Sequence, residues 1–79
     1  MMMQLYVVVD VLAEESGPIF EAKNNKVARR QYNNMMSGNM DPSEYKLLNV
    51  GWIDHDTHQN FGRDPEDVTK EKLKEVVEE

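Results

Sequence analysis

Lys26, Arg29, Arg30, Asn33 and Asn34 recur at spacings of three and four residues. That spacing gathers side chains on one arc of an α-helix. Lys23 stands just ahead of the run and can extend it. All of these side chains donate hydrogen bonds, and phosphate oxygens accept them; arginine adds bidentate geometry. The chemistry of such a face is the grip of a nucleic-acid backbone, which makes Lys23, Lys26, Arg29, Arg30, Asn33 and Asn34 the candidate nucleic-acid-binding set. The same pattern also describes a solvated helix face whose cations keep a domain soluble.

Other residues with chemical potential are less organised. Asp54, His55, Asp56 and His58 hold the right donor types for zinc or another divalent ion. Their spacing matches neither a calcium loop, with its glycine and distal glutamate, nor a helical pair of histidines, and a polar hairpin turn accounts for the same residues. Trp52, Tyr45 and Tyr6 fall on strand-like segments, where an exposed ring can stack on an unpaired base and a buried one serves the core. No cysteine is present, and Ser16, Ser37 and Ser43 lie in turn-like stretches without nucleophile-elbow glycines. Gly17, Gly38, Gly51 and Gly62 are isolated, so no phosphate-cradling loop is written into the chain. The expectation is a protein that is not an enzyme and carries no cofactor.

The elements that must position these residues follow from periodicity. Met3–Leu12 reads as a strand: Leu5, Val7, Val9 and Val11 make a wholly apolar face, and Gln4, Tyr6, Val8, Asp10 and Leu12 a mixed one. Ser16-Gly17-Pro18 signals a turn over residues 14–18, and Ile19–Ala22 a short second strand. Asn24 or Asn25 can cap a helix that runs to about Ser37. Val27, Ala28, Tyr32, Met35 and Met36 line its apolar side, with Gly38 beyond its end. Glu44–Ile53 reads as another long strand, with Tyr45, Leu47 and Ile53 on one face and Leu48, Val50 and Trp52 on the other. Gly51 within it signals a bulge or a close backbone approach. A polar hairpin turn over residues 54–60 precedes a short strand near Phe61. Asp64-Pro65-Glu66-Asp67 has the form of a helix start, Glu66 then pairing with Lys70, and the thin apolar stripe of Thr69, Leu73, Val76 and Val77 predicts a weak C-terminal helix.

The expected fold is therefore α+β: a small antiparallel sheet with one amphipathic helix packed on one face. Residues 1–63 form the compact domain and residues 64–79 an acidic helix or tail. Seventy-nine residues suffice for one domain, with no disulfide to reinforce it. The longest apolar run, Val7–Val9, is far short of the roughly 20 residues that span a bilayer, and Met1-Met2-Met3-Gln4 lacks the basic region of a signal peptide; the expectation is a cytosolic protein without a membrane partner.

The net charge is −6, and residues 23–34 carry four cations and no acid. A second apolar sheet face has to meet the tail or a second copy of the chain, which makes a homodimer attractive. The acidic tail could equally mimic DNA, bind a basic partner, or serve as a solubilising end.

Three blocks in succession carry a family resemblance. The first is Tyr6-Val7-Val8-Val9-Asp10, Ala13 and Gly17-Pro18-Ile19-Phe20-Glu21-Ala22; the second is Val27-Ala28-Arg29-Arg30 with Tyr32. The third is Pro42, Glu44-Tyr45-Lys46-Leu47, Val50-Gly51 and Asp54. Over roughly residues 5–56 the chain resembles the small non-structural protein of gokushovirus-type Microviridae, which are single-stranded-DNA bacteriophages. The resemblance implies a protein outside the virion, made in the cytoplasm of the bacterial host, that serves genome replication or the handover to packaging. Its partners would be single-stranded DNA or a phage replication or capsid protein. Arg29 and Arg30 match the family's arginine block, whereas the acidic net charge departs from a simple DNA binder.

Overall fold

A computed structural model describes residues 1–38 and 41–70. Its elements are β1 (Met2–Asp10), β2 (Glu15–Ala22), α1 (Asn25–Met35), a short 3-10 turn at Pro42–Glu44, β3 (Tyr45–Asp54) and β4 (Gln59–Asp67). The strands form one antiparallel sheet in the order β2-β1-β3-β4. The α+β class expected from the sequence is the class observed.

The helix forms where the cap and the periodicity place it. The Asn24 side chain accepts from the Val27 amide at 3.0 Å, which satisfies one of the amides a helix start leaves free. Ala28, Tyr32 and Met36 turn inward and are buried, while Met35 stays 43% exposed. They meet Tyr6, Ala22, Leu47 and Val68, and these residues together make the core. Tyr6, Ala28 and Leu47 have no exposed surface at all; burying a side chain such as Leu47 stabilises by roughly 1.5–3 kcal/mol. The helix covers the mixed face of β1, carrying Gln4, Tyr6 and Val8. The wholly apolar face, with Leu5, Val7 and Val9, lies on the other side of the sheet. No described element covers it; Val7 at its centre is nonetheless only 7% exposed, shielded by its neighbours on the sheet, whereas Ile19 beside it on the edge strand is 61% exposed.

Register explains the main departures on β3. Leu5 pairs with Gly51 and Tyr6 with Asn49, so Val50 is an extra residue. One extra residue exchanges the faces of everything beyond it. Tyr45, Leu47, Asn49 and Trp52 therefore share the helix side, and Leu48, Gly51 and Ile53 the other. The expected grouping of Trp52 with Leu48 and of Ile53 with Leu47 is thereby corrected. At Gly51 φ is +152°, and an added Cβ would stand 2.0 Å from the Phe61 carbonyl oxygen. Both readings of this glycine hold, since it sits at a bulge and lets a neighbouring backbone approach.

The edge strands depart further. The turn falls at residues 11–14, with Glu14 at a φ of 59°, and β2 already begins at Glu15, through the stretch read as a turn. β4 runs through Asp64-Pro65-Glu66-Asp67, where a helix start was expected. Proline is tolerated on edge strands and at bulges, and both prolines occupy such positions. Gly17-Pro18 lies at a register break opposite Val8, and Pro65 at one opposite Val50. Glu66 accordingly pairs with Arg63 at 3.7 Å rather than with Lys70 one helical turn on. Val68 is only 4% exposed and belongs to the core, so the compact unit extends past residue 63. The expected stripe of Leu73, Val76 and Val77 lies outside the described residues.

Candidate nucleic-acid interface

The basic flank of α1 is one wall of an open groove of about 500 Å³, lined by Lys26, Arg29, Arg30, Asn33, Thr69 and Lys70. The helix supplies the first four residues from successive turns. The chain leaving β4 supplies the last two, and Lys70 adds a cation that helical spacing alone does not reveal. Lys26 and Arg30 are exposed, and among the described residues no carboxylate pairs with either. Lys23 and Asn34 are exposed but do not line the groove. The structure thus brings together Lys26, Arg29, Arg30 and Asn33 and leaves Lys23 and Asn34 outside.

Arg29 differs from its neighbours in being half-buried. Its Nη1 donates to the Val68 carbonyl at 3.1 Å. The Val68 amide donates to the Leu47 carbonyl at 2.9 Å. The Leu47 amide donates to Thr69 Oγ1 at 2.8 Å, and the same hydroxyl reaches Asp67 Oδ1 at 2.6 Å. The groove's second wall is therefore held to β3 and to the helix by a continuous set of hydrogen bonds. Donation from the Thr69 hydroxyl holds the Asp67 carboxyl below the usual carboxylate range, with burial opposing.

A second polar cluster was not legible in the sequence. Asn49 is 2% exposed. Its Nδ2 donates to Gln4 Oε1 at 3.1 Å and to Asn25 Oδ1 at 3.3 Å. Tyr6 donates its hydroxyl to the same Asn25 oxygen at 2.7 Å. Asn49 Oδ1 in turn accepts the Gly51 amide at 3.1 Å, which replaces the ladder bond that the bulge removes. This cluster fixes the start of α1 against the sheet, and so aims the basic flank. Burial pushes the Tyr6 hydroxyl up from its ordinary value; Asn49 and the nearby Arg29 and Arg63 cations oppose it.

The aromatic residues divide. Tyr6 is core, and Tyr45 is half-buried, its carbonyl accepting from the Tyr32 hydroxyl at 3.1 Å. Trp52 is half-buried and stacks on Phe61, with ring centroids 5.5 Å apart and planes inclined by 24°. This pair sits on the helix side of the sheet, past the helix start.

The acid and histidine residues of the β3–β4 turn do not converge. His55 Nε2 lies 2.7 Å from Glu21 Oε1, and Asp54 and Asp56 face the Met1 amine at 3.7 and 2.6 Å. His58 takes the positive-φ position of the turn. Among the described residues no group of three or more His, Cys, Asp or Glu could hold a metal ion, and no helix among them is long and apolar enough to cross a membrane.

Comparison of the chain with family models, with curated proteins and with solved structures returns no match.

Proposed function

We propose that this chain is an accessory protein of single-stranded-DNA phage replication or packaging that binds nucleic acid through the basic flank of α1. The observation that carries the reading is the groove in which Lys26, Arg29, Arg30 and Lys70 converge while Lys26 and Arg30 have no carboxylate partner among the described residues. Cations without a carboxylate partner among the described residues suit phosphate oxygens, and binding them releases counterions. The resemblance to the small non-structural protein of gokushovirus-type Microviridae supplies the biological setting. It also supports a location in the host cytoplasm rather than in the virion.

The test is fluorescence anisotropy of labelled single-stranded DNA at low and at physiological salt. Saturable binding that weakens with salt supports the reading. Lys26→Ala with Arg30→Ala should then reduce the salt slope by about 0.7 per cation removed from a single strand. Absence of binding at low salt overturns it.

A second reading draws on the sheet face of Leu5, Val7, Val9 and Ile19, which no described element covers and on which Ile19 is the exposed residue. It makes the protein a homodimeric adaptor for a phage or host protein. Sedimentation of a monomer at all accessible concentrations would remove the dimer from that reading.

A further inference from the structure

The Trp52–Phe61 pair belongs to the same side of the sheet as the basic flank. Gln4 pairs with both Ala22 and Trp52; Ala22 lies in the core beneath the helix, so Trp52 projects to that side. Phe61 pairs with Trp52 and is 40% exposed. Moving along β3 from Trp52 toward Leu47 leads from the stacked rings to the level of Val68, where Arg29 is anchored. At ~3.3 Å per residue, that path is on the order of 15 Å. Arg63 lies between the two ends: it shares β4 with Phe61, and with Arg29 it acts on the Tyr6 hydroxyl. Glu66 lies on the same path and is paired with Arg63 at 3.7 Å.

A surface that joins a row of cations to partly exposed, mutually stacked rings has a characteristic ligand. Cations alone suit any polyanion, whereas a partly exposed aromatic pair beside them adds a π-face on which an unpaired base of that polyanion can stack. A duplex keeps its base faces inside its own stack. We propose that the surface running from Lys26 and Arg30 past Arg63 to Trp52 and Phe61 binds single-stranded nucleic acid, with phosphates on the helix flank and a base stacked on the Trp52–Phe61 pair. This rests on the nucleic-acid reading above and adds to it the strandedness of the ligand and the place where a base is held.

Trp52 is the only tryptophan of the chain, so its emission reports on the pair without any label on the protein. Unlabelled oligothymidylate is titrated into the full chain while Trp52 emission is followed. Labelled oligothymidylate is followed by anisotropy in parallel, with a duplex of the same length and inorganic polyphosphate as competitors. The expected result is saturable quenching with the same midpoint as the anisotropy change, weaker competition by the duplex, and no quenching by polyphosphate. Phe61→Leu keeps an apolar residue on the edge strand and removes the second ring; it should weaken oligothymidylate binding about five- to 150-fold and leave polyphosphate binding unchanged. If oligothymidylate binds with the expected salt dependence while Trp52 emission stays constant, or if the duplex competes equally well, the stacking proposal is overturned and the phosphate-binding reading stands. If anisotropy shows no binding, both fall together.

Discussion

The Arg29 guanidinium reaches the Val68 carbonyl at 3.1 Å, so the central cation of the basic flank is also a strut between the helix and the end of β4. Arg30, one residue on, is exposed and makes no such bond among the described residues. The two arginines should separate in mutation. Arg29→Ala should lower stability by about 1.5–3 kcal/mol, the range for a hydrogen bond that involves a charged group, and reduce binding as well. Arg30→Ala should reduce binding with thermal stability unchanged. Chemical denaturation and anisotropy on the same two variants check this.

Gly51 admits no side chain. An added methyl would meet the Phe61 carbonyl at 2.0 Å on a backbone with φ at +152°, and neither partner is a flexible side-chain end. Gly51→Ala should destabilise by more than about 2 kcal/mol, combining overpacking with backbone strain. It should also displace β4, which a blunted amide-exchange protection of residues 59–67 would show.

Asn49 ties the bulge of β3 to β1 and to the start of the helix. Asn49→Ala removes its bonds to Gln4 and Asn25 and leaves the Gly51 amide without its acceptor. A buried donor left unpaired costs about 1–3 kcal/mol, which equilibrium unfolding in urea should show. Because Asn25 begins the helix, protection of the Ala28 amide, which donates to the Asn24 carbonyl in the first turn, should fall more than that of the Met36 amide at the far end.

The carboxyl of Asp67 is held below the usual range by the Thr69 hydroxyl. A carboxyl depressed in the folded state contributes stability above its unfolded value of about 3.9, and that contribution is lost as pH falls through the folded value. Asp54, held low first by the Asp56 amide, and Asp41, held low by Ser43, act with the same sign. The melting temperature should be level from neutral pH to about 5 and fall below about 4. Thr69→Val should shrink the part of that fall that belongs to Asp67. It should also lower stability at neutral pH, because the Leu47 amide loses its acceptor.

The parts of the molecule that could be read in the sequence are those governed by local rules. Asn24 caps the helix because a side-chain oxygen at that position meets a free amide, and Ala28, Tyr32 and Met36 are buried because helical spacing aligns them. The basic flank was legible for the same reason. What escaped depends on neighbours distant in sequence. Pro65 reads as a helix start until the strand beside it is known, since only an edge position makes a proline compatible with a sheet. The bulge at Val50 could be suspected from Gly51, but its effect on Trp52 requires the register against β1. Thr69 and Lys70 enter the groove only because β4 carries the chain back beside the helix.

Both rims of the sheet are interrupted where their prolines sit, at Pro18 on β2 and at Pro65 on β4. Neither outer strand therefore presents an unbroken row of free amides and carbonyls to a neighbouring molecule. Lateral growth, in which one chain after another is stitched on strand by strand, meets a break on either edge. Crowded copies of the chain would then meet through its broad surfaces, one apolar and the other lined with cations and rings, rather than through its sides.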